Sequence, residues 1–439
     1  MSEANHPPQP FACTDAPVAS ADVDASCRAP VLLLVTAGTL WLVVGLLLGL
    51  LASVKFHTSA FLAGSPWLTY GRIQPAGVNA LVYGFGLQAA LGVALWMLAR
   101  LGRTTLACPS TAVMGGLLWN VGVLAGCYAI LVGDSTGFEL LEMPGYASPV
   151  LFVAFAFLSV SALLTFQARR VNELYVSQWF ILAALFWFAW IYSTANLLLV
   201  FLPVRGVMQA LVNWWYLNNL FTVVLGFLGL ATVFYFVPKL TQRPLHSYGL
   251  ALFTFWALAL FGPWGGVAPG SPLPAWIPSV SSFFTFLTLI PVLAVAVNLG
   301  KTSERSADLR SGTDSPGRRP TLQFIRFGAF AWLAFNLIAV AVAGRDASFV
   351  MHFTWLVRAQ TELFLFGFLA MVLFGAIHYI VPALLPCGEI CPKIGRFTFW
   401  AGVGGTLLTV IPLVVGGVSE GFALTGRPMP DSWTSRTPR

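Results

Sequence analysis

Apolar runs of about 20 residues recur along the chain, near 31–54, 76–99, 111–133, 147–168, 177–201, 213–237, 248–266, 278–299, 322–343, 357–384 and 396–418. Each can cross a bilayer core about 30 Å thick. Backbone polar groups inside lipid must be satisfied within their own segment, so these runs are predicted to be helices. Charged residues make up only 9% of the sequence, against about 25% in a soluble chain. The expected fold is an all-α polytopic membrane protein, one bundle of about eleven transmembrane helices in contact with the lipid bilayer.

The polar segments between the runs set the expected organisation. Residues 1–30 are polar, acidic and rich in Pro and Ala, and are read as a disordered cytoplasmic tail. They lack a basic stretch ahead of an apolar run, so they do not read as a secretory signal. The bundle is assigned to 31–419, with a flexible cytoplasmic loop over 300–320 and a short polar C-terminal tail over 420–439. If the N-terminus and the loops after even-numbered runs share one side, that side holds fifteen of the 23 Lys and Arg residues. The richer side should be cytoplasmic, which puts the N-terminus inside a bacterial inner membrane. The net charge of +7 is therefore an orientation signal and not a sign of nucleic-acid binding. The six cysteines form no paired framework. Cys387 and Cys391 lack a partner pair or an adjacent histidine, which argues against zinc. There is no C-x-x-C-H, so no covalently attached c-type haem is expected.

Several short stretches share an order and spacing. They are Tyr70-Gly71-Arg72, Glu139-Leu140-Leu141-Glu142, Asn213-Trp214-Trp215-Tyr216 and Tyr235-Phe236-Val237-Pro238-Lys239, followed by Arg243-Pro244, Leu273-Pro274-Ala275-Trp276 and Gly375-Ala376-Ile377-His378-Tyr379-Ile380-Val381-Pro382. Together they make the chain from about Tyr70 to Gly421 resemble subunit I of the haem-copper oxidases, in its C-type branch, and the related nitric oxide reductases. That family commonly has twelve spans, one more than the eleven runs read here.

The resemblance implies two haems and a copper held by histidines from spans two, six and ten and from the segment after span seven. Neutral imidazole suits iron and copper through a fixed ring nitrogen. This chain has only five histidines. The position of the span-two haem ligand is Gly77. The span-ten His-x-His falls on Gln360-Thr361-Glu362, and the span-six copper ligand falls on Asn218. After Trp264-Gly265-Gly266 the histidine pair is replaced by Val267-Ala268-Pro269, and the redox tyrosine of span seven by Gly262. The resemblance thus leads to an expectation of no haem and no copper. Two lost haems would leave voids of several hundred Å³, costing on the order of 10 kcal/mol, so the 36 Phe and 16 Trp are expected to fill them.

Three other features are candidates for chemistry. Glu362 lies inside the apolar run 357–384, with Arg358 one turn earlier on the same face. The pair reads either as an internal ion pair plugging the haem position or as a proton or ion site. His57, His352 and His378 are the candidate alternative ligands, each otherwise read as an interfacial or packed histidine. Arg72 is expected to seek a carboxylate of the Glu139/Glu142 loop. Three functions follow. The first is a non-catalytic pseudo-oxidase scaffold for c-type cytochromes or other respiratory subunits. The second is an active cytochrome c oxidase or nitric oxide reductase with unusual ligation. The third is a proton or small-molecule conduit through Arg358 and Glu362 with Asn218, Asn219 and Gln360.

Overall fold

The computed structural model describes residues 19–304, 318–385 and 391–426. Within them ten helices are long and apolar enough to cross a membrane, and an eleventh is shorter. In chain order we label them α1 Ser20–His57, α2 Tyr70–Gly102, α3 Pro109–Val132, α4 Ala147–Gln167, α5 Val176–Phe201, α6 Met208–Thr241, α7 Tyr248–Trp264, α8 Trp276–Ser303, α9 Pro320–Val342, α10 Trp355–Leu384 and α11 Pro392–Thr425. Each coincides with one of the apolar runs.

Helices α2, α6 and α10 form the centre, with 100, 89 and 67% of their most apolar windows buried, against at most 50% for the others. Helix α1 lies along α2, α3 against α4, α5 against α6, α7 against α8, and α10 between α9 and α11. The α1–α2 contact is made by small residues. A Cβ on Gly45 would stand 3.0 Å from the Gly77 carbonyl, and one on Gly84 would strike the Trp41 side chain. Small residues at such a seam let backbones approach, which is how helices gain packing energy when lipid is as apolar as their side chains.

Each central helix widens into π-helical turns: Ala80–Leu87 in α2, Leu220–Leu225 in α6 and Leu363–Ala370 in α10. They begin just after Gly77, Asn218 and Glu362, the positions the resemblance marks for ligands. Such turns concentrate at functional sites. Apolar periodicity does not reveal them, because a widened turn keeps the same residue types.

Two boundaries differ from expectation. The polar residues 20–30 belong to α1, because they are fastened to the bundle. Asp24 pairs with Arg100 at 3.1 Å and accepts the Trp96 indole N–H at 2.9 Å. Arg28 donates to the Leu384 carbonyl at 2.7 Å. Only residues 1–18 of the expected tail lie outside the described residues. At the other end, 420–425 continue α11. Glu420 accepts the Trp355 N–H at the start of α10 at 3.1 Å, and a Cβ on Gly421 would lie 2.4 Å from the Val350 carbonyl. The loop read at 300–320 contracts from both sides, since helix runs to Glu304 and resumes at Arg318. Its remainder, Cys387 and residues 427–439 lie outside the described residues.

Helix α11 holds α10 in place. A Cβ on Gly417 would fall 2.2 Å from the Leu356 amide nitrogen, whereas one on Gly416 would meet nothing within 4 Å. Backbone cannot yield as a side-chain tip can. Gly417→Ala should therefore lower stability in detergent by about 1–3 kcal/mol, and Gly416→Ala should stay within about 0.5 kcal/mol of the parent. Equal thermal shifts for the two variants would contradict this packing.

Candidate functional site: a cavity beside a closed helix seam

The first halves of α6 and α8, the ends of α7 and α9, the start of α10 and the segment before it line a cavity of about 410 Å³, within the range of small-molecule sites. Asn218, Gln360, Thr361, His352 and Glu139 line it, with Trp214, Phe221, Trp332 and Phe364 among its aromatic walls. The expected aromatic filling is thus incomplete.

Asn218 is held in place. Its Nδ2 donates to the Gly262 carbonyl at 2.8 Å, and a Cβ on Gly266, which has φ of +90°, would sit 2.5 Å from its Cβ. The next amide, Asn219, donates to the Pro263 carbonyl at 3.2 Å and accepts from the Trp187 indole at 2.9 Å. Asn219 thus satisfies the Pro263 carbonyl at the end of α7, and Asn218 shares the Gly262 carbonyl with the Gly265 N–H. Gln360 faces the cavity, and no hydrogen bond of its side chain is found among the described residues. His352 precedes α10 and lines the same space. Burial lowers its imidazole pKa below the ordinary 6.5, so the ring is neutral at pH 7.

Gly77 does not face this cavity. A Cβ there would lie 3.1 Å from the Leu48 Cβ and 3.4 Å from the Gly45 carbonyl of α1. A Cβ at this position would need Leu48 to give by a few tenths of an ångström. Glu362 is buried and pairs with Arg358, whose side chain keeps 33% of its exposure. The structure thus brings together Arg358 and Glu362, and separately Asn218, Gln360 and His352.

The other candidate histidines stand apart. His57 ends α1 on the exposed exterior beside Phe56. His378 packs on Phe324, and its Nδ1 bonds the Phe374 carbonyl of its own helix at 2.7 Å. Among the described residues, no three His, Cys, Asp or Glu side chains are grouped to hold a metal ion.

A second polar centre escaped the sequence reading. Asn79 Nδ2 donates to Glu142 Oε2 at 2.7 Å. The Tyr83 hydroxyl donates to the Leu140 carbonyl and bonds the Tyr216 hydroxyl. Tyr192 packs against Tyr83 and Tyr216. All these residues are buried. The signal was present in Asn79 and Tyr83, which lie four apart and so share a face of α2. Arg72, expected to reach Glu139 or Glu142, donates instead to the Leu131 carbonyl at 3.3 Å. That carbonyl is one of the unsatisfied acceptors at the end of α3, where a cation is favoured.

Burial pushes the Glu142 carboxyl from the ordinary 4.5 up to about 7, against the opposing hydrogen bond from Asn79. The neighbouring Glu139 is raised by burial too, with Arg358 opposing. Because the folded-state value of Glu142 is the higher, the unfolded chain ionises first as pH rises. Stability should therefore fall between about pH 4.5 and 7 and level off above, by on the order of 3 kcal/mol. Unfolding measured across this window should be flatter for Glu142→Gln, and an unchanged slope would contradict the assignment. For the ion pair, Arg358→Leu alone strands the Glu362 carboxylate and should cost about 2 kcal/mol, reduced from the fully buried case by the exposure of Arg358. Adding Glu362→Leu should recover much of that loss. Additive losses in the double variant would show that the two side chains are not coupled.

Comparison with known proteins places this geometry. Residues 29–435 match the family described as cytochrome C and quinol oxidase polypeptide I. The Cbb3-type cytochrome c oxidase subunit CcoN1 of Stutzerimonas stutzeri is 26% identical over 394 residues, covering 87% of this chain and 81% of that protein. A cytochrome c oxidase subunit 1 homolog of Azorhizobium caulinodans is 26% identical over 408 residues, covering 88% of this chain and 72% of its own length. Among solved structures, a haem-copper terminal oxidase dimer superposes with a TM-score of 0.68 at 14% identity, over 94% of this chain and 79% of that one. The central helices, their widened turns and the cavity among them are thus the frame of a multi-pass membrane protein that belongs to the cytochrome c and quinol oxidase polypeptide I family.

Proposed function

We propose that this chain is a haem- and copper-free scaffold subunit of a respiratory complex in a bacterial inner membrane, with its N-terminus cytoplasmic and c-type cytochromes or other respiratory subunits as its partners. The observation that carries the reading is the seam at Gly77. The family's first haem needs an imidazole from span two, and here that position has no side chain and faces α1 closely, since a Cβ would already lie 3.1 Å from the Leu48 Cβ. Across the bundle, the matching span-ten position is Glu362, whose carboxylate is taken by Arg358. At the second centre, Asn218 and Gln360 present amides, and hard oxygen donors suit porphyrin iron and copper(I) poorly. The residues at these positions do not fit the groups the family holds.

The reading also accounts for what has been kept. The helix order, the widened turns and the Trp/Pro/Gly stretches all serve packing, and none requires a redox centre. Function follows the site and not the fold. The unusual-ligation alternative would have to draw on His57, His352 and His378. These stand on the exterior, beside the cavity and against Phe324 respectively, so they supply no shared centre. The conduit alternative rests on the buried Arg358–Glu362 pair and on the neighbouring cavity that Asn218 and Gln360 line.

Purified protein supplied with a reduced c-type cytochrome should consume neither oxygen nor nitric oxide. Immobilised protein should retain the c-type cytochrome of its own respiratory chain. Sustained oxygen or nitric oxide uptake would overturn the scaffold reading in favour of unusual ligation. Proton flux through the protein in liposomes, abolished by Glu362→Gln, would favour the conduit.

A further inference from the structure

A second pocket lies at the opposite end of the bundle from the cavity, on the face where α1 begins. It has a volume of about 320 Å³ and is lined by Arg243, Pro244, His246, Lys301 and Thr302. Among the described residues no acidic side chain lines it. No hydrogen bond or ion pair of the Arg243, His246 or Lys301 side chains is found among the described residues. Three basic side chains converge there, and no counter-charge stands beside them among the described residues.

The convergence is built by backbone anchoring. The His246 N–H donates to Thr302 Oγ1 at 3.0 Å. The Ser247 N–H donates to Asn298 Oδ1 at 3.2 Å, and Asn298 Nδ2 returns a bond to the Ser247 carbonyl at 2.9 Å. Thr302 closes the set by donating to the Asn298 carbonyl at 2.7 Å. Asn298 and Thr302 are buried. The α6–α7 loop is thereby pinned to the end of α8, and Arg243 and His246 are brought to Lys301.

The surface leading away from the pocket is apolar. On α8, Ile290, Leu293 and Val297 are exposed and stand eleven, eight and four residues before Lys301, so they share its face. On α7, which packs against α8, Phe253, Trp256 and Leu260 are exposed in the same way. The basic pocket therefore sits at the head of two apolar stripes that run down the membrane-facing side of the molecule.

We propose that this pocket binds the phosphate of an anionic phospholipid, whose acyl chains lie along the α7 and α8 stripes. Unpaired Arg and Lys match a phosphate in charge and hydrogen bonding. Basic pockets between membrane helices recognise anionic head groups in this way. The apolar stripes select a lipid over a free anion, because a soluble phosphate would leave them unused. The site is independent of whether the chain holds haem.

The test is native mass spectrometry of the whole protein in mild detergent, titrated with phosphatidylglycerol and with phosphatidylcholine. Phosphatidylglycerol should bind more tightly. Arg243→Gln with Lys301→Gln should weaken it about fivefold per charge removed, about 25-fold in all, with phosphatidylcholine binding unchanged. The charge-preserving pair Arg243→Lys with Lys301→Arg should retain phosphatidylglycerol, which separates loss of charge from loss of fold. Equal binding of the two lipids by the parent protein would overturn the proposal. So would undiminished phosphatidylglycerol binding in the Gln pair. Displacement of the lipid by inorganic phosphate at comparable concentration would identify a free-anion site and overturn the lipid assignment.

Discussion

The close approach of α1 to α2 is the constraint on which the rest of the structure depends. Gly45, Gly77 and Gly84 let two helices meet where Leu48, Leu81 and Trp41 fill the remaining space. Helix α2 is wholly buried along its apolar window, so its position fixes where α6 and α10 can lie. In lipid there is no hydrophobic force to press helices together, and packing of this kind holds them. In the family the same region is organised partly around a haem. Under the proposed function, direct helix contact takes up that place.

A second consequence concerns the polar residues of the interior. With α1 closed on α2, the carboxylate of Glu362 has Arg358 as its partner, and the amides of Asn218 and Asn219 tie α6 to the end of α7. Around Glu142 the alternative outcome prevails. Its carboxyl meets an amide and no cation, so burial raises its pKa. The two sites show how one bundle tolerates buried carboxyl groups either by pairing them or by raising their pKa.

Much of this was legible in the sequence, for identifiable reasons. Length and apolarity alone locate each of the eleven helices, because lipid leaves a segment no other way to satisfy its backbone. The Arg358–Glu362 pair followed from i,i+4 spacing on a helix face. The ends were less legible. Residues 20–30 are polar and read as tail, yet Asp24, Ser26 and Arg28 find partners on α2, on the α2–α3 connection and on α10 that only the fold supplies. Arg72 is paired in the sequence reading with carboxylates of a loop on the same side of the membrane, whereas the α3 end with its bare carbonyls takes it in the fold. The tyrosine and asparagine cluster around Glu142 was missed because its members come from α2, α5, α6 and the α3–α4 loop. The cavity near Gln360 was expected to be filled because composition counts aromatics without placing them.

The central claim is that packing replaces the haem at the α1–α2 seam. The most direct measurement is the haem-to-protein ratio of the purified, detergent-solubilised chain, by pyridine haemochrome assay and visible spectrum, on material shown to be folded and helical. The account predicts no Soret band and no haem above trace. Stoichiometric haem would contradict it, and would mean that α1 yields at Gly77 or that a histidine outside the expected positions serves as ligand.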